Sequence, residues 1–169
     1  FQIGKDHTFR LSTEYRRNMF NFDAFQTFAQ TPELAYNMWS AGGMWHWHIR
    51  DDLSLTSAVR VDRLNLEETG ELWSGAIYQK DEYSRQLTDY SANIGLVYQP
   101  TQDDTFRITF GRGIQEPSFV EWGINTTYPS SPNPFLPPGT IYDLYGNPYI
   151  QPSVTQNYEV GYDRVLAPI

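Results

Sequence analysis

Three residue patterns in this chain have spacings that can carry chemistry. In the stretch Thr105–Gly123, TFRITFGRGIQEPSFVEWG, the triplet Gly111-Arg112-Gly113 has the glycine content of a phosphate-cradling loop. Such loops sit between a parallel strand and a helix N-terminus, where backbone N–H groups converge on the anion. No helix-period segment follows the triplet and Pro117 comes too soon for a long helix, so the glycines read as a bulge or a close backbone approach within a strand. His46 and His48 are two residues apart and share one face of any strand that holds them, a geometry that brings two imidazoles to one metal ion. No third ligand lies nearby, and ordinary polar contacts are the expected role. The carboxylate pairs Glu67-Glu68 and Asp103-Asp104 have groups suited to acid–base work. Adjacent carboxylates in predicted loops or turns serve solubility and turn chemistry instead. Ser, His and Asp residues occur without a nucleophile-elbow pattern. No catalytic residue, cofactor site or metal site is therefore assigned, and the chain does not read as an enzyme.

The elements that must position these residues are set by an unusual composition. Of 169 residues, 5 are Trp, 12 Tyr and 10 Phe, while charged residues make up 19%. The formal charge of −8 excludes binding to nucleic-acid backbones, which requires clustered Lys and Arg to displace counterions. The absence of cysteine excludes disulfides and thiolate metal sites. No run approaches the roughly 18 to 20 apolar residues of a membrane-spanning helix. The N-terminus lacks the basic start and apolar stretch of a signal peptide, and both ends read as cut from a longer chain.

Period-two alternation dominates, and six extended segments are predicted: His7 to Asn21, Ala35 to Ile49, Leu53 to Leu66, Gln86 to Gln99, Thr105 to Ile114 and Val154 to Leu166. Their connections alternate strictly between long (22–34, 67–85, 115–153) and short (50–52, 100–104). In an antiparallel meander every second connection falls on the same edge, so the long loops share one edge and the tight turns the other. Transmembrane β-barrels have this asymmetry, with short periplasmic turns and long extracellular loops. The segments also meet or exceed the about 9 to 11 tilted residues that cross the hydrocarbon. The predicted fold is all-β: an antiparallel up-and-down meander forming a partial wall, about six strands, of a larger transmembrane β-barrel.

Side-chain register agrees. Phe9, Leu11, Thr13 and Tyr15 oppose Arg10, Ser12, Glu14 and Arg16; Leu53, Leu55, Val59 and Val61 oppose Ser54, Thr56, Arg60 and Asp62. One register suits lipid and the other a hydrated lumen. Phe9, Trp45, Trp47, Tyr98, Phe106 and Tyr162 form an aromatic belt near the tight turns, and Tyr15, Trp39 and Tyr90 lie toward the other interface. Arg17, Arg63 and Arg112 continue the apolar register on the long-loop side at matching heights. There they are expected to snorkel to the outer interface or meet lipopolysaccharide phosphates.

Two stretches carry a family resemblance. TFRITFGRGIQEPSFVEWG resembles the barrel of TonB-dependent outer-membrane receptors, where a strand ends in a Gly-Arg-Gly-type sequence before an aromatic-x-x-Pro-Ser element. GNPYIQPSVTQNYEVGYDR is similar to the family's Asn-Pro, Pro and Asn-Tyr-Glu-aliphatic-Gly-aromatic pattern, carried by Asn147, Pro148, Pro152, Asn157, Tyr158, Glu159, Val160, Gly161 and Tyr162. The chain departs at Gln115-Glu116, where the family often has Arg-Ala, so no role of that basic residue carries over. The resemblance implies a barrel of about 22 strands closed around an N-terminal plug. It also implies an energy-coupling partner, TonB, engaged by a segment not present in this chain. The localisation implied is the bacterial outer membrane of a Gram-negative cell. The implied function is active uptake of a scarce nutrient, a ferric siderophore being the leading substrate, with the metal chelate captured by outer loops.

The connection from Gln115 to Ser153 is rich in proline and rings: Trp122, Tyr128, Phe135, Tyr142, Tyr145 and Tyr149. Loops of this length are commonly functional, and these rings are the candidate ligand-contact set. A soluble β-sandwich that binds or hydrolyses carbohydrate, and a small passive porin-like barrel, are the alternatives.

Overall fold

The computed structural model describes residues 1–21, 32–71, 76–129 and 141–166. Seven antiparallel strands form one sheet in the order β1 (Gln2–Ile3), β2 (His7–Phe20), β3 (Leu34–Arg50), β4 (Leu53–Glu68), β5 (Arg85–Tyr98), β6 (Asp104–Gln115) and β9 (Ser153–Arg164). Each strand pairs with the next one in the sheet, and the sheet is open, with β1 and β9 at its edges. The six predicted segments are all present, and β1 is an addition that the sequence pattern did not indicate. A second sheet of β7 (Asn125–Pro129) and β8 (Ile141–Tyr145) lies in the long connection after β6, preceded by the short helix α1 (Phe119–Gly123).

Register assigns the faces. Leu11 pairs with Gly43, Gly43 with Val59 and Val59 with Ala92, so the apolar residues of neighbouring strands line one face. On that face Leu11 is 74% exposed, Tyr158 73% and Val160 81%, with Trp39, Val59, Ile94 and Ile108 also exposed. No second layer covers them among the described residues. A water-soluble sheet buries this face; a barrel wall turns it toward lipid.

The core lies elsewhere. Leu34, Met38, Leu64, Leu66 and Leu87 are buried together with Tyr83 and Trp122. Met38, Leu64 and Leu87 are cross-strand partners in the register opposite the exposed apolar one. That register is largely polar from Thr8 and His46 up to Glu14, Ser40 and Asp62, with Met44 and Ala58 an apolar cross-strand pair between them. It becomes apolar at the long-loop ends of the strands, because outer-loop segments fold inward over it.

This corrects the placement of Glu67 and Glu68. Strand β4 runs through both. Glu67 faces the lipid register and pairs with Arg17 at 3.3 Å, while the Glu68 carboxylate is buried on the other side, with the Lys80 ammonium 3.7 Å away. Gly111 and Gly113 lie inside β6, whose pairing with β9 shows no register shift, so the bulge expectation fails. No neighbouring backbone makes a close approach either: a Cβ on Gly111 would meet only the Asn93 side-chain Oδ1 at 3.1 Å, and one on Gly113 would meet nothing within 4 Å.

Candidate functional site

Two features of the lumen side could serve function: a polar network on the wall and a cap above it. Arg60 is the centre of the network. Its Nη1 donates to Glu14 Oε2 at 3.0 Å, its Nε to Asp62 Oδ1 at 2.8 Å and its Nη2 to Ser40 Oγ at 2.8 Å. Ser40 donates to Asp62, and Arg16 pairs with Glu14 at 2.6 Å. The network ties β2, β3 and β4 together on one face, and Arg107 and Asp163 form a similar ion pair between β6 and β9. Glu14, Arg16, Arg107 and Asp163 are solvent-accessible, so their pairs contribute little stability each, whereas Ser40 and Asp62 are buried and rely on Arg60 to satisfy them. Their arrangement presents alternating charge to whatever fills the lumen.

The cap begins where the chain departs from the family pattern. Gln115 ends β6, and Glu116 turns inward toward Asp62 and Asp89. Ser118 then caps α1: its hydroxyl accepts from Glu121 N at 3.2 Å, and the Glu121 carboxylate accepts from Ser118 N at 2.7 Å. This reciprocal capping box satisfies two otherwise orphaned amides. Phe119 stacks on Phe20 and Tyr36, and Trp122 is 0% exposed beside Tyr36. Gly146 lets the end of the β7–β8 hairpin close on the helix, because a Cβ there would lie 2.5 Å from the Gly123 nitrogen. Asn147 N then donates to Glu121 O at 2.8 Å. The neighbouring loop joins the cap: Tyr149 OH donates to Glu82 at 2.7 Å, Arg85 donates to Pro148 O at 2.8 Å, and the Arg85 guanidinium lies over the Tyr149 ring. Burial pushes the Tyr83 phenol up to about 12.

Glu116 is half-buried, and burial first, then the charges of Asp62 and Asp89, push its carboxyl up from the ordinary range. An acid whose folded-state pKa is raised binds more protons folded than unfolded, so cap stability falls as pH rises through that interval. Glu116→Gln is therefore expected to leave cap stability unchanged below the ordinary carboxylate range and to raise it above the shifted pKa. Protease protection of the loop measured across pH checks this, and equal protection of both forms at high pH contradicts it.

The candidate ring set separates. Trp122 is withdrawn from it, since it packs in the core and presents no surface to a ligand. Tyr145 and Tyr149 are exposed on the cap. Tyr128 and Tyr142 are paired residues of β7 and β8, with side chains outside the description, and Phe135 lies outside the described residues. Trp45 and Trp47 stack at 5.5 Å in the lipid register, with Phe9 parallel to Trp45. Among the arginines, Arg17 pairs with Glu67. Arg112 is largely covered, its Nη2 3.0 Å from Asp89 and its guanidinium 3.9 Å from the Tyr90 ring centroid. Arg63 is exposed and forms no ion pair among the described residues. His46 and His48 face the lumen near the tight turn, with Nε2 atoms 3.2 Å apart.

The sequence contained two signals for the cap that the strand reading passed over. One is the Ser118-x-x-Glu121 box, and the other is the switch of the lumen register from polar to apolar at Leu64 and Leu66.

No curated protein and no solved structure matches the chain. A family profile does: TonB dependent receptor-like, beta-barrel, over residues 1–168. That match spans every strand described above, and its β-barrel description agrees with the antiparallel all-β sheet. The chain belongs to the β-barrel family of TonB-dependent receptors, a family of outer-membrane receptors and transporters.

Proposed function

We propose that this chain is the part of an uptake receptor that joins the barrel wall to its outer ligand-capture surface, and that the nutrient taken up is a ferric siderophore. The observation that carries the reading is the pairing of a bare apolar face with an inward-folded cap on the opposite, polar face. The first needs lipid, and the second narrows the mouth of a lumen. Tyr145, Tyr149 and the Arg85 guanidinium stacked on Tyr149 offer aromatic and cationic surface to an anionic, ring-bearing metal chelate. A plug domain meets the Arg60 network from within, and TonB acts through that plug. A strain lacking the gene is expected to lose energy-dependent uptake of ferric siderophore and to grow poorly under iron limitation. Unchanged uptake overturns the substrate, and uptake that persists without TonB points to a passive pore.

The arginines fit an outer-interface role when strand tilt is included. At a tilt of about 45°, with strands about 4.8 Å apart and a rise of about 3.4 Å per residue, a fixed membrane level shifts by about 1.4 residues per strand. Over four strands the shift is about 5.6 residues. Arg112 shares its cross-strand row with Ala92, Val59, Gly43 and Leu11, six residues along β2 from Arg17. Arg63 shares its row with Trp39 and Tyr15, two residues from Arg17. The tight-turn ends descend the same way, from the Arg50–Leu53 closure level with Tyr98 down to Asp104. This common level supports an outer-interface role for the three arginines, with Arg63 free to meet lipopolysaccharide phosphates and Arg17 and Arg112 held by Glu67 and Asp89. Replacing all three by Glu is expected to weaken detergent-stable folding in outer membranes, and unchanged heat-modifiable migration and membrane retention removes the proposal.

A further inference from the structure

The His46–His48 pair has a geometry that the nutrient-uptake reading does not use. Both residues are on β3 in the lumen register, two residues apart and opposite Thr56 and Ser54 of β4. Their Nε2 atoms approach to 3.2 Å, with ring planes at 89°. Two imidazole nitrogens bound to one metal at about 2.0–2.1 Å must be about 2.9 Å apart at a right-angle bite and about 3.4 Å apart at a tetrahedral one. The observed separation lies between these values. Thr56 supplies the outer support that metal-bound histidines need. Its Oγ1 is 2.8 Å from His46 Nδ1. With the Nδ1 proton donated to that hydroxyl, His46 Nε2 carries the lone pair and faces His48 Nε2. Among the described residues no group of three or more His, Cys, Asp or Glu is placed to hold a metal, so the remaining positions on an ion fall to water.

We infer that His46 and His48 form a two-imidazole site for a divalent transition cation of the copper, nickel or zinc type, on the lumen wall near the tight-turn edge. Imidazole ligands suit these ions, whereas calcium and magnesium require oxygen-rich cages. The site rests on β3–β4 pairing and is independent of what the outer loops capture. It gives the lumen wall a labile metal contact distinct from any chelate entering from outside.

The test titrates nickel(II) chloride into the purified full-length receptor in detergent, with heat-modifiable migration recorded for each variant as a measure of folding. His46→Ala and His48→Ala are each expected to remove the same single equivalent of binding, weakening it at least about tenfold. The double variant is expected to bind no more weakly than either single one, because both ligands serve one ion. Thr56→Val, which keeps both imidazoles, is expected to weaken binding by about tenfold or more through the lost support. His46→Gln replaces the alanine variant if the latter fails the migration test. A folded His46 or His48 variant that binds nickel as the wild type does, or losses that add in the double variant, overturns the site and leaves the pair a hydrogen bond between two imidazoles.

Discussion

Trp122→Ala is expected to open the outer cap while leaving the barrel wall folded. Trp122 is fully buried and is the largest side chain in the small core formed by Leu34, Met38, Leu64, Leu66, Tyr83 and Leu87. Removing a buried Trp side chain costs about 3–5 kcal/mol. The cap has no other apolar core among the described residues, so the loss falls on its local opening equilibrium. At about 1.4 kcal/mol per tenfold, cleavage within residues 116–152 by a protease that samples the open form should rise by about a hundredfold or more. Heat-modifiable migration of the full-length receptor should not change, because the wall is held by cross-strand pairing that Trp122 does not touch. Trp122→Phe keeps a ring and removes an Nε1–H that has no hydrogen-bond partner among the described residues. It should therefore lose markedly less protection than the alanine variant. Equal cleavage rates for wild type and Trp122→Ala would show that the cap is not held by this core, and loss of migration would show that cap and wall fold as one unit.

The wall was legible because the bilayer imposes a simple rule on it. Each lipid-crossing residue alternates between two solvents, so Phe9, Leu11 and Tyr15 against Arg10, Ser12 and Glu14 reveal strand, register and face together. The cap was not legible in the same way, because its order comes from partners remote in sequence. Trp122 in a Pro-rich loop reads as an exposed ring until β3 and β4 are known to extend above the polar network and offer Leu34 and Leu64 as its floor. Glu116 departs from the family pattern, and the structure puts its half-buried carboxylate near Asp62 and Asp89, on two other strands, an arrangement that disfavours its charge and gives no structural reason for the departure. The predicted end of β4 falls at Leu66 because, once its lumen register changes from polar to apolar, a period-two reading loses its contrast, although the backbone pairing continues through Glu68. The histidine pair is an intermediate case, since its shared face follows from spacing while the approach of the two nitrogens depends on the rotamers that Thr56 supports.

Val59→Arg distinguishes a lipid-facing wall from a water-facing sheet by the sign and size of its effect. Val59 is 52% exposed in the apolar register of β4, on the row of Leu11, Gly43 and Ala92 and between the two aromatic levels. In water, an arginine at a half-exposed strand position away from special contacts changes stability by no more than about 0.5 kcal/mol. In lipid, a charge on the outer face near the midplane costs about 2–4 kcal/mol. Ser12→Arg supplies the control. Ser12 is exposed in the opposite register, pairs with Gly42 and lies two residues from both Arg10 and Glu14, so a guanidinium there stays hydrated, with like charge on one side and a carboxylate on the other. Folding of the full-length receptor into bilayers, followed by denaturant titration, should place Val59→Arg well below wild type and Ser12→Arg within about 0.5 kcal/mol of it. If the two variants were equally stable, the exposed apolar face would not be in contact with hydrocarbon. A larger loss for Ser12→Arg would reverse the assignment of lumen and lipid registers. The expected asymmetry depends on side-chain direction and surrounding solvent, because the two positions lie in adjacent rows of the same sheet.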